Sequence, residues 1–460
     1  MARVDDLAAR TVGFDTLVAR AGVCVAHAAL EMLGGSYGRR ITIVAGRGHN
    51  GDDGRVAAAL LAQRGVRVTV IPADPRPGQL PPSDLVIDAA YGTGFHGTYA
   101  APPVPVRPGG STSARALVLA VDVPSGLNAT SGIACEGAVH ADRTVTFGAL
   151  KPGLLLHDGP DCAGTVAVEP IGLPLDGAAA HLVEDADVSA WVPSRRREGH
   201  KWDSAVYVVA GSPGMLGAAA LSTRGAQRAG SGMVRLASPG AQPGEVPVIE
   251  AVARPLPIDG WANAVLDDLS RCRSLVLGPG LGAAHDTGQA VRRLISDAPI
   301  PMVLDADGLN AAGSADELAR LVTARRQPIV LTPHDGEYAR LAGHMPGDDR
   351  IAAARQLAHD TGAHVLLKGS TTVVAAPTGE VLLAASGSAR LSTAGTGDVL
   401  SGIIGAFLAM GLGPLQAAAI GAHVHGRGAA LGRAHGLIAG DLPDLVADIL
   451  SSLIPSADVR

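Results

Sequence analysis

The sequence predicts two α/β domains, each a mostly parallel sheet flanked by helices. Three observations carry this. At 460 residues the chain exceeds one ordinary domain, and its length suits about two to four. Apolar strand-like runs alternate with helical stretches, the rhythm of a parallel sheet with helices on its faces. That rhythm halts at a proline-led basic segment, DVSAWVPSRRREGHKWD over 187–203, and then restarts. The boundaries follow: a first domain over 1–190, a linker over 191–203 and a second domain over 204–455.

Each element has its own signal. Residues 14–33 set Phe14, Leu17, Val18, Ala21, Val25, Ala28 and Met32 on one helical face. Strands are expected at Ile41–Ala45, Val66–Ile71, Leu85–Asp88, Leu117–Val121 and Thr144–Phe147, with a helix over 54–64. Pro102–Ser113 reads as a surface loop, and a Gly/Pro-rich tail to about 185 closes this half. In the second half strands are expected at Ala205–Ala210, Ser274–Gly278, Met302–Asp305, Ile329–Thr332 and Val365–Leu367. Each of these ends in a Gly, Asp, His or Lys motif, where open α/β sheets place ligands.

Composition narrows the function classes. Net charge is −6 with no basic block, which argues against nucleic acid. Cys24, Cys135, Cys162 and Cys272 are scattered without a CxxC, which suits a reducing cytoplasm and neither zinc nor disulfides. The start MARVDDLAAR lacks the apolar core of a signal peptide. Val399–Ala422 is uncharged and long enough to suggest a membrane span. Gly411, Gly413, Pro414 and Gln416 interrupt it, so two buried helices and no membrane partner are expected. Lysine is scarce: Lys151, Lys201 and Lys368 stand alone among 37 basic residues. A lysine kept where arginine is the default cation suggests a compact charge or a movable proton.

The first half opens its chemistry with AGRGHNGDDG, where Gly46, Gly48 and Gly51 spell a dinucleotide fingerprint between a strand and a helix. Asp52 and Asp53 stand where a helix start would receive a pyrophosphate. A dehydrogenase would also need an acid ending the second strand for the ribose, and Asp74 comes late, behind Pro72. Asp88 and Asp122 end two further strands, and Ser125 follows Pro124. With Asn50 they offer hard oxygen ligands, suited to a monovalent or alkaline-earth cation. Taken in order, GxGxNGxDG, DAxxGTG, DxPSGL and FGALKPG resemble the NAD(P)H-hydrate epimerases over roughly residues 10–185.

That resemblance implies a Rossmann-like three-layer sandwich and a bound potassium ion held by Asn50, Asp88 and Ser125. It implies that the hydrate lies on His49, Asn50, Gly51, Asp52 and Asp53 and on Gly92, Thr93, Gly94, Phe95, His96, Gly97 and Thr98. Asp122 would then be close to the nicotinamide, with Lys151 its acid–base partner. His49 and Asp52 depart from the family's loop, which has asparagine and glycine there. A side chain at Asp52 is expected to narrow the site or strain the backbone.

In the second half LSTAGTGDVLSGIIGAF sets Gly395–Gly397 before a helix, and their amides make an anion hole. On this stretch alone Asp398 reads equally as a cap on a glycine-rich turn or as a base that takes a proton from a hydroxyl attacking phosphate. KGSTT adds Lys368 and hydroxyls, TPHDGE adds His334 and Glu337, GPGLG and VAGSPGMLGAA add glycine-rich loops, and DADGLN adds acids for magnesium through water. This set resembles the ADP- or ATP-dependent NAD(P)H-hydrate dehydratases, with a ribokinase-like fold, over about 198–450. It implies that Ala218, Gly280 and His334 contact the hydrate. Lys368, Gly369, Ser370, Thr371, Thr372 and Gly397 would hold the nucleotide, Asp398 the reacting hydroxyl, and HKWDS would place Lys201 near the nucleotide edge. The implied whole is a cytoplasmic, homo-oligomeric repair enzyme for NADHX and NADPHX. The alternative is a ribokinase-like small-molecule kinase whose N-terminal module binds nucleotides without epimerase activity.

Overall fold

The computed structural model describes residues 12–108, 114–173, 175, 178, 180–242 and 244–454. Of the loop expected over Pro102–Ser113, residues 109–113 lie outside the described residues, as does residue 455. The chain divides into two compact units, Met1–Ala178 and Ala179–Arg460.

Among the described residues, six strands form the sheet of the first unit: β1 (Arg40–Ala45), β2 (Arg67–Pro72), β3 (Leu85–Ala89), β4 (Leu117–Val121), β5 (Arg143–Phe147) and β6 (Thr165–Glu169). All pairings are parallel, in the order β2-β1-β3-β4-β5-β6. The order reverses between β1 and β3, and in such sheets the crevice beyond that switch point receives the ligand. Helices Phe14–Leu33 and His49–Gln63 cover one face, where Val25, Ala29, Ala57 and Leu61 meet Ile43, Ile87 and Leu119. Helix Phe14–Leu33 has the length and apolarity of a membrane span, yet its Leu17–Ala21–Val25–Ala28 stripe is buried in this core. The opposite face is closed by irregular chain, with Ala73, Leu80 and Ala116 over Val44 and Val86, and Val139 and Ala141 over Val118 and Ala120.

The helix expected from residue 54 begins at His49. Gly46 and Gly51 permit this early start. A Cβ on Gly51 would lie 2.0 Å from the Gly46 carbonyl, so only glycine lets the first helical turn sit against the strand end.

The second unit carries ten strands: β7 (Ala180–Leu182), β8 (Ala205–Val209), β9 (Met233–Pro239), β10 (Val252–Leu256), β11 (Ser274–Leu277), β12 (Met302–Leu304), β13 (Ile329–Leu331), β14 (His364–Leu367), β15 (Thr372–Ala375) and β16 (Val381–Ala384). Their order is β10-β9-β8-β11-β12-β13-β14-β15-β16-β7. β10 to β14 are parallel, and β15 and β16 turn back as an antiparallel hairpin. Helices Thr396–Ala409 and Pro414–Leu431 replace the single apolar stretch of the sequence. Both are buried, Val399, Ile403 and Phe407 packing with Ala418, Ile420 and Val424.

The boundary drawn at residue 190 needs correction. β7 pairs with β16, and Asp185–Trp191 is a helix of the second unit, held by Ser189 Oγ donating to the Leu453 carbonyl. Asp185 also meets His423 at 2.9 Å and Arg427 at 2.8 Å. The segment lacks a continuous apolar run because β7 is a three-residue edge strand. It protects the β16 edge from foreign pairing.

Candidate functional site

In the first unit the carboxyl ends of β1 to β5 open into a cavity of about 700 Å³. Asp122 follows β4 with φ 65, a left-handed conformation uncommon outside glycine. Its Oδ1 lies 2.6 Å from Lys151 Nζ and accepts from Thr146 Oγ1 at 3.2 Å. Lys151 is only 3% exposed and also donates to Thr146 Oγ1 at 2.9 Å and to the Phe147 carbonyl at 2.8 Å. All three ammonium donors therefore have fixed protein acceptors. The other Asp122 oxygen faces the cavity: a Cβ built on Gly92 would stand 3.3 Å from both Asp122 Oδ2 and Asn50 Oδ1. Lys151 is thus held against Asp122 Oδ1 by two further acceptors.

Asn50, Asp88 and Ser125 meet around the Tyr91 carbonyl. That oxygen accepts from Asn50 Nδ2 at 2.9 Å and lies 3.3 Å from Ser125 Oγ. Ser125 donates to Asp88 through Oγ at 2.7 Å and through its amide at 2.8 Å. Burial pushes Asp88 up to about 6 although these bonds favour its charged form. Asp88, Ser125 Oγ and the Tyr91 carbonyl gather hard oxygens of the kind a monovalent cation takes, while Asn50 presents Nδ2 to that carbonyl and would add its Oδ1 only after a turn of its amide. The Tyr91 carbonyl escaped the sequence reading because a backbone oxygen leaves no residue signature.

The expected hydrate contacts divide. His49, Asn50, Asp53, Gly92, Thr93, Gly94 and Phe95 line the cavity, whereas Gly51, Asp52, His96, Gly97 and Thr98 are not among its lining residues. Asp52 turns to Arg55 at 2.8 Å, and Arg55 also donates to the Gly46 carbonyl. Asp52 keeps ordinary helical backbone, so the anticipated strain is absent; among the described residues positive φ outside glycine occurs at Asp122, His157 and Ala306. His49 stacks on Phe14 with ring centroids 4.3 Å apart. Asp53 stays toward the cavity, where desolvation, then Asp122 and Asp52, push it up to about 8.

In the second unit Gly395 takes φ 88 and caps helix Thr396–Ala409, bringing Asp398 into its first turn. Burial, with Asp305, Asp307 and Glu337 adding to it against Lys368, pushes Asp398 up to about 7. Lys368 Nζ lies 2.7 Å from Asp305 Oδ1 and 3.9 Å from Glu337 Oε2. Burial alone would lower its pKa, but these carboxylates hold it above the ordinary value. Asp305 Oδ2 accepts from Ser401 Oγ at 2.6 Å, and Ser401 Oγ lies 3.1 Å from the Gly397 carbonyl. Lys368, Asp305, Ser401 and the glycine loop are thus one connected unit. A Cβ on Gly397 would lie 3.5 Å from Lys368 Nζ.

His334 caps helix Asp335–Ala342, its Nδ1 accepting from the Gly336 amide, which leaves Nε2 on a half-exposed ring. Gly280 lies against Ala218, so these two expected contacts meet. Asp305 accepts from Lys368 and Ser401, and Asp307 accepts from the Gly282 amide and Asn310. Thr371 and Thr372 bury their side chains, while Gly369 and Ser370 are exposed on the turn. One expectation needs correction. Lys201 precedes the start of β8, at the edge opposite the strand ends that carry Lys368 and Asp305, because the chain must cross the sheet before reaching them.

Comparison with known proteins bears on both halves. Residues 206–452 match the family model described as NAD(P)H-hydrate dehydratase, and 15–81 with 71–153 match the YjeF-related protein N-terminus. The bifunctional NAD(P)H-hydrate repair enzyme Nnr of Salinibacter ruber is 38% identical, over 94% of this chain and 91% of its own. Its counterpart from Mycobacterium tuberculosis is 40% identical over 84% of this chain and 82% of its own. The Bacillus subtilis ADP/ATP-dependent NAD(P)H-hydrate dehydratase co-crystallised with ATP and Mg2+ superposes with a TM-score of 0.53 at 30% identity, covering 60% of this chain and all of that one.

Proposed function

The chain belongs to the bifunctional NAD(P)H-hydrate repair enzymes, and from that premise we propose how its two sites divide the work. It epimerises the R and S forms of hydrated NADH and NADPH, and it dehydrates the S form at the expense of ADP or ATP. The observation that carries the division is a carboxylate in the field of a lysine at the open end of each sheet: Asp122 paired with Lys151 at 2.6 Å, and Asp398 with its pKa drawn down in part by the charge of Lys368, which itself pairs with Asp305.

In the first unit Asp122 Oδ2 takes the proton of the C6 hydroxyl as the C6–N1 bond breaks to an open-chain aldehyde, and returns it to that oxygen when the nitrogen adds back to the other face of C6. Lys151 and Thr146 hold the other oxygen, so the carboxylate keeps one orientation through the cycle. Potassium on Asn50, Asp88, Ser125 and the Tyr91 carbonyl would offset the buried acid and set a positive field beside the phosphates.

In the second unit Asp398 removes the C6 hydroxyl proton while that oxygen attacks the terminal phosphoryl group of the nucleotide. The amides of 395–397 and Lys368 receive the developing charge. The C6–O bond then breaks with phosphate as leaving group, and loss of the C5 proton restores the ring double bond. Magnesium accompanies the nucleotide's phosphates. A base near pKa 7 suits this step at neutral pH. Incubation with mixed R and S hydrate plus ADP or ATP tests the reading: the reduced-nicotinamide absorbance should recover completely. Recovery that stops at the S fraction refutes the epimerase, and none at all refutes the dehydratase.

A further inference from the structure

The cavity of the first unit extends well past Asp122. It includes Arg47, just after β1, and Asp74, just after β2. The sheet order puts β2 beside β1, then β3, β4 and β5, so Asp74 and Lys151 close opposite ends of a row of five strand ends. Four inter-strand spacings make that row roughly 19 Å long. Such a length suits an extended dinucleotide, not a nicotinamide ring alone. With the hydrated ring beside Asp122, the far end falls to the adenosine half.

At that end Arg47 Nη2 stands 3.2 Å from Asp74 Oδ2, with side chains 83% and 63% exposed. A pair so open to water adds little to stability. The sequence alone left Asp74 outside the site because it follows Pro72, but the fold returns it to the cavity wall. In doubly wound sheets a carboxylate after the second strand accepts from the ribose 2′-hydroxyl, and a nearby arginine accommodates a 2′-phosphate. Here both side chains are present and paired with each other.

We propose that Arg47 and Asp74 form a subsite that reads the adenosine 2′-position of the hydrate, Asp74 accepting from a hydroxyl and Arg47 binding a phosphate. The proposal rests on the epimerase reading of this cavity. A 2′-phosphate is drawn by Arg47 and repelled by Asp74, so removing each charge must move discrimination in opposite directions.

The test uses the full-length protein and the R epimers of NADHX and NADPHX, comparing the ratio of their kcat/KM values for conversion to S. Arg47→Ala should lower the NADPHX-to-NADHX ratio about tenfold, the size of one charge-assisted hydrogen bond. Asp74→Asn should raise it. Ratios that stay within twofold of the parent, or that move the same way in both variants, overturn the subsite. Should the parent convert neither epimer, the epimerase reading falls instead. The subsite is then judged by equilibrium binding of NADPH and NADH, where the variants must shift the ratio of dissociation constants with the same opposite signs.

Discussion

The two sites use the same pair of residue types and set them differently. In the first unit Lys151 is buried, touches Asp122 directly and has its three donors on fixed acceptors. In the second, Lys368 is partly exposed and pairs with Asp305, while Asp398 stands apart and is pushed up to about 7. On the proposed mechanism, one arrangement fixes the direction of a carboxylate and the other its basicity. An epimerase that takes and returns a proton within one pocket asks for orientation, whereas phosphoryl transfer from a hydroxyl at neutral pH asks for a base of raised pKa.

Substitutions can break or sharpen this contrast. Asp398→Asn should cut dehydration of pure S epimer by ~10²–10⁴-fold, the usual contribution of a general base, while nucleotide binding persists. Turnover within a few-fold of the parent would remove Asp398 from the reaction. Lys151→Arg should slow R-to-S conversion by roughly tenfold to a hundredfold, since a planar guanidinium cannot satisfy the same three acceptors in a closed site. Near-parental conversion by a folded variant would show that orientation does not depend on the ammonium.

The pH dependence separates the sites more gently. Asp398 acts when deprotonated, so dehydration should climb as pH rises through about 7. Asp305 raises Asp398 and also neutralises Lys368, so Asp305→Asn should move that limb to lower pH by about one unit. A limb that stays put would assign it to another group. The smallest effect concerns the cation. Replacing potassium by a bulky organic cation should slow epimerisation more than dehydration, because Asn50, Asp88 and Ser125 belong to the first unit. Equal losses in both half-reactions would contradict that placement.

Much of this was legible in the sequence, for identifiable reasons. β1, β3, β4 and β11 to β13 are largely buried, so apolar residues dominate them, with Thr42 and Asp88 the interior exceptions. β6 and β10 are exposed edge strands whose patterns carry no such run, and β15 and β16 follow a glycine-serine turn that reads as loop. The carboxylates Asp122 and Asp398 announced themselves at strand and helix ends. Their supports did not. Ser401 reaches Asp305 across 96 positions, and no local spacing encodes that bond. Asp52 follows a glycine motif, where a ligand contact reads naturally from sequence, and no local spacing shows that the helix turns its side chain to Arg55.

The backbone at Asp122 carries a further consequence. A residue with a side chain at φ 65 stores about 1–3 kcal/mol that glycine would release. Asp122→Gly would release that strain but leave the buried Lys151 ammonium without its carboxylate, a loss of about 3–5 kcal/mol that outweighs the gain. The ion pair therefore keeps the strained backbone in place, and a library screened only for survival of the fold should retain Asp122 as firmly as one screened for growth under cofactor damage.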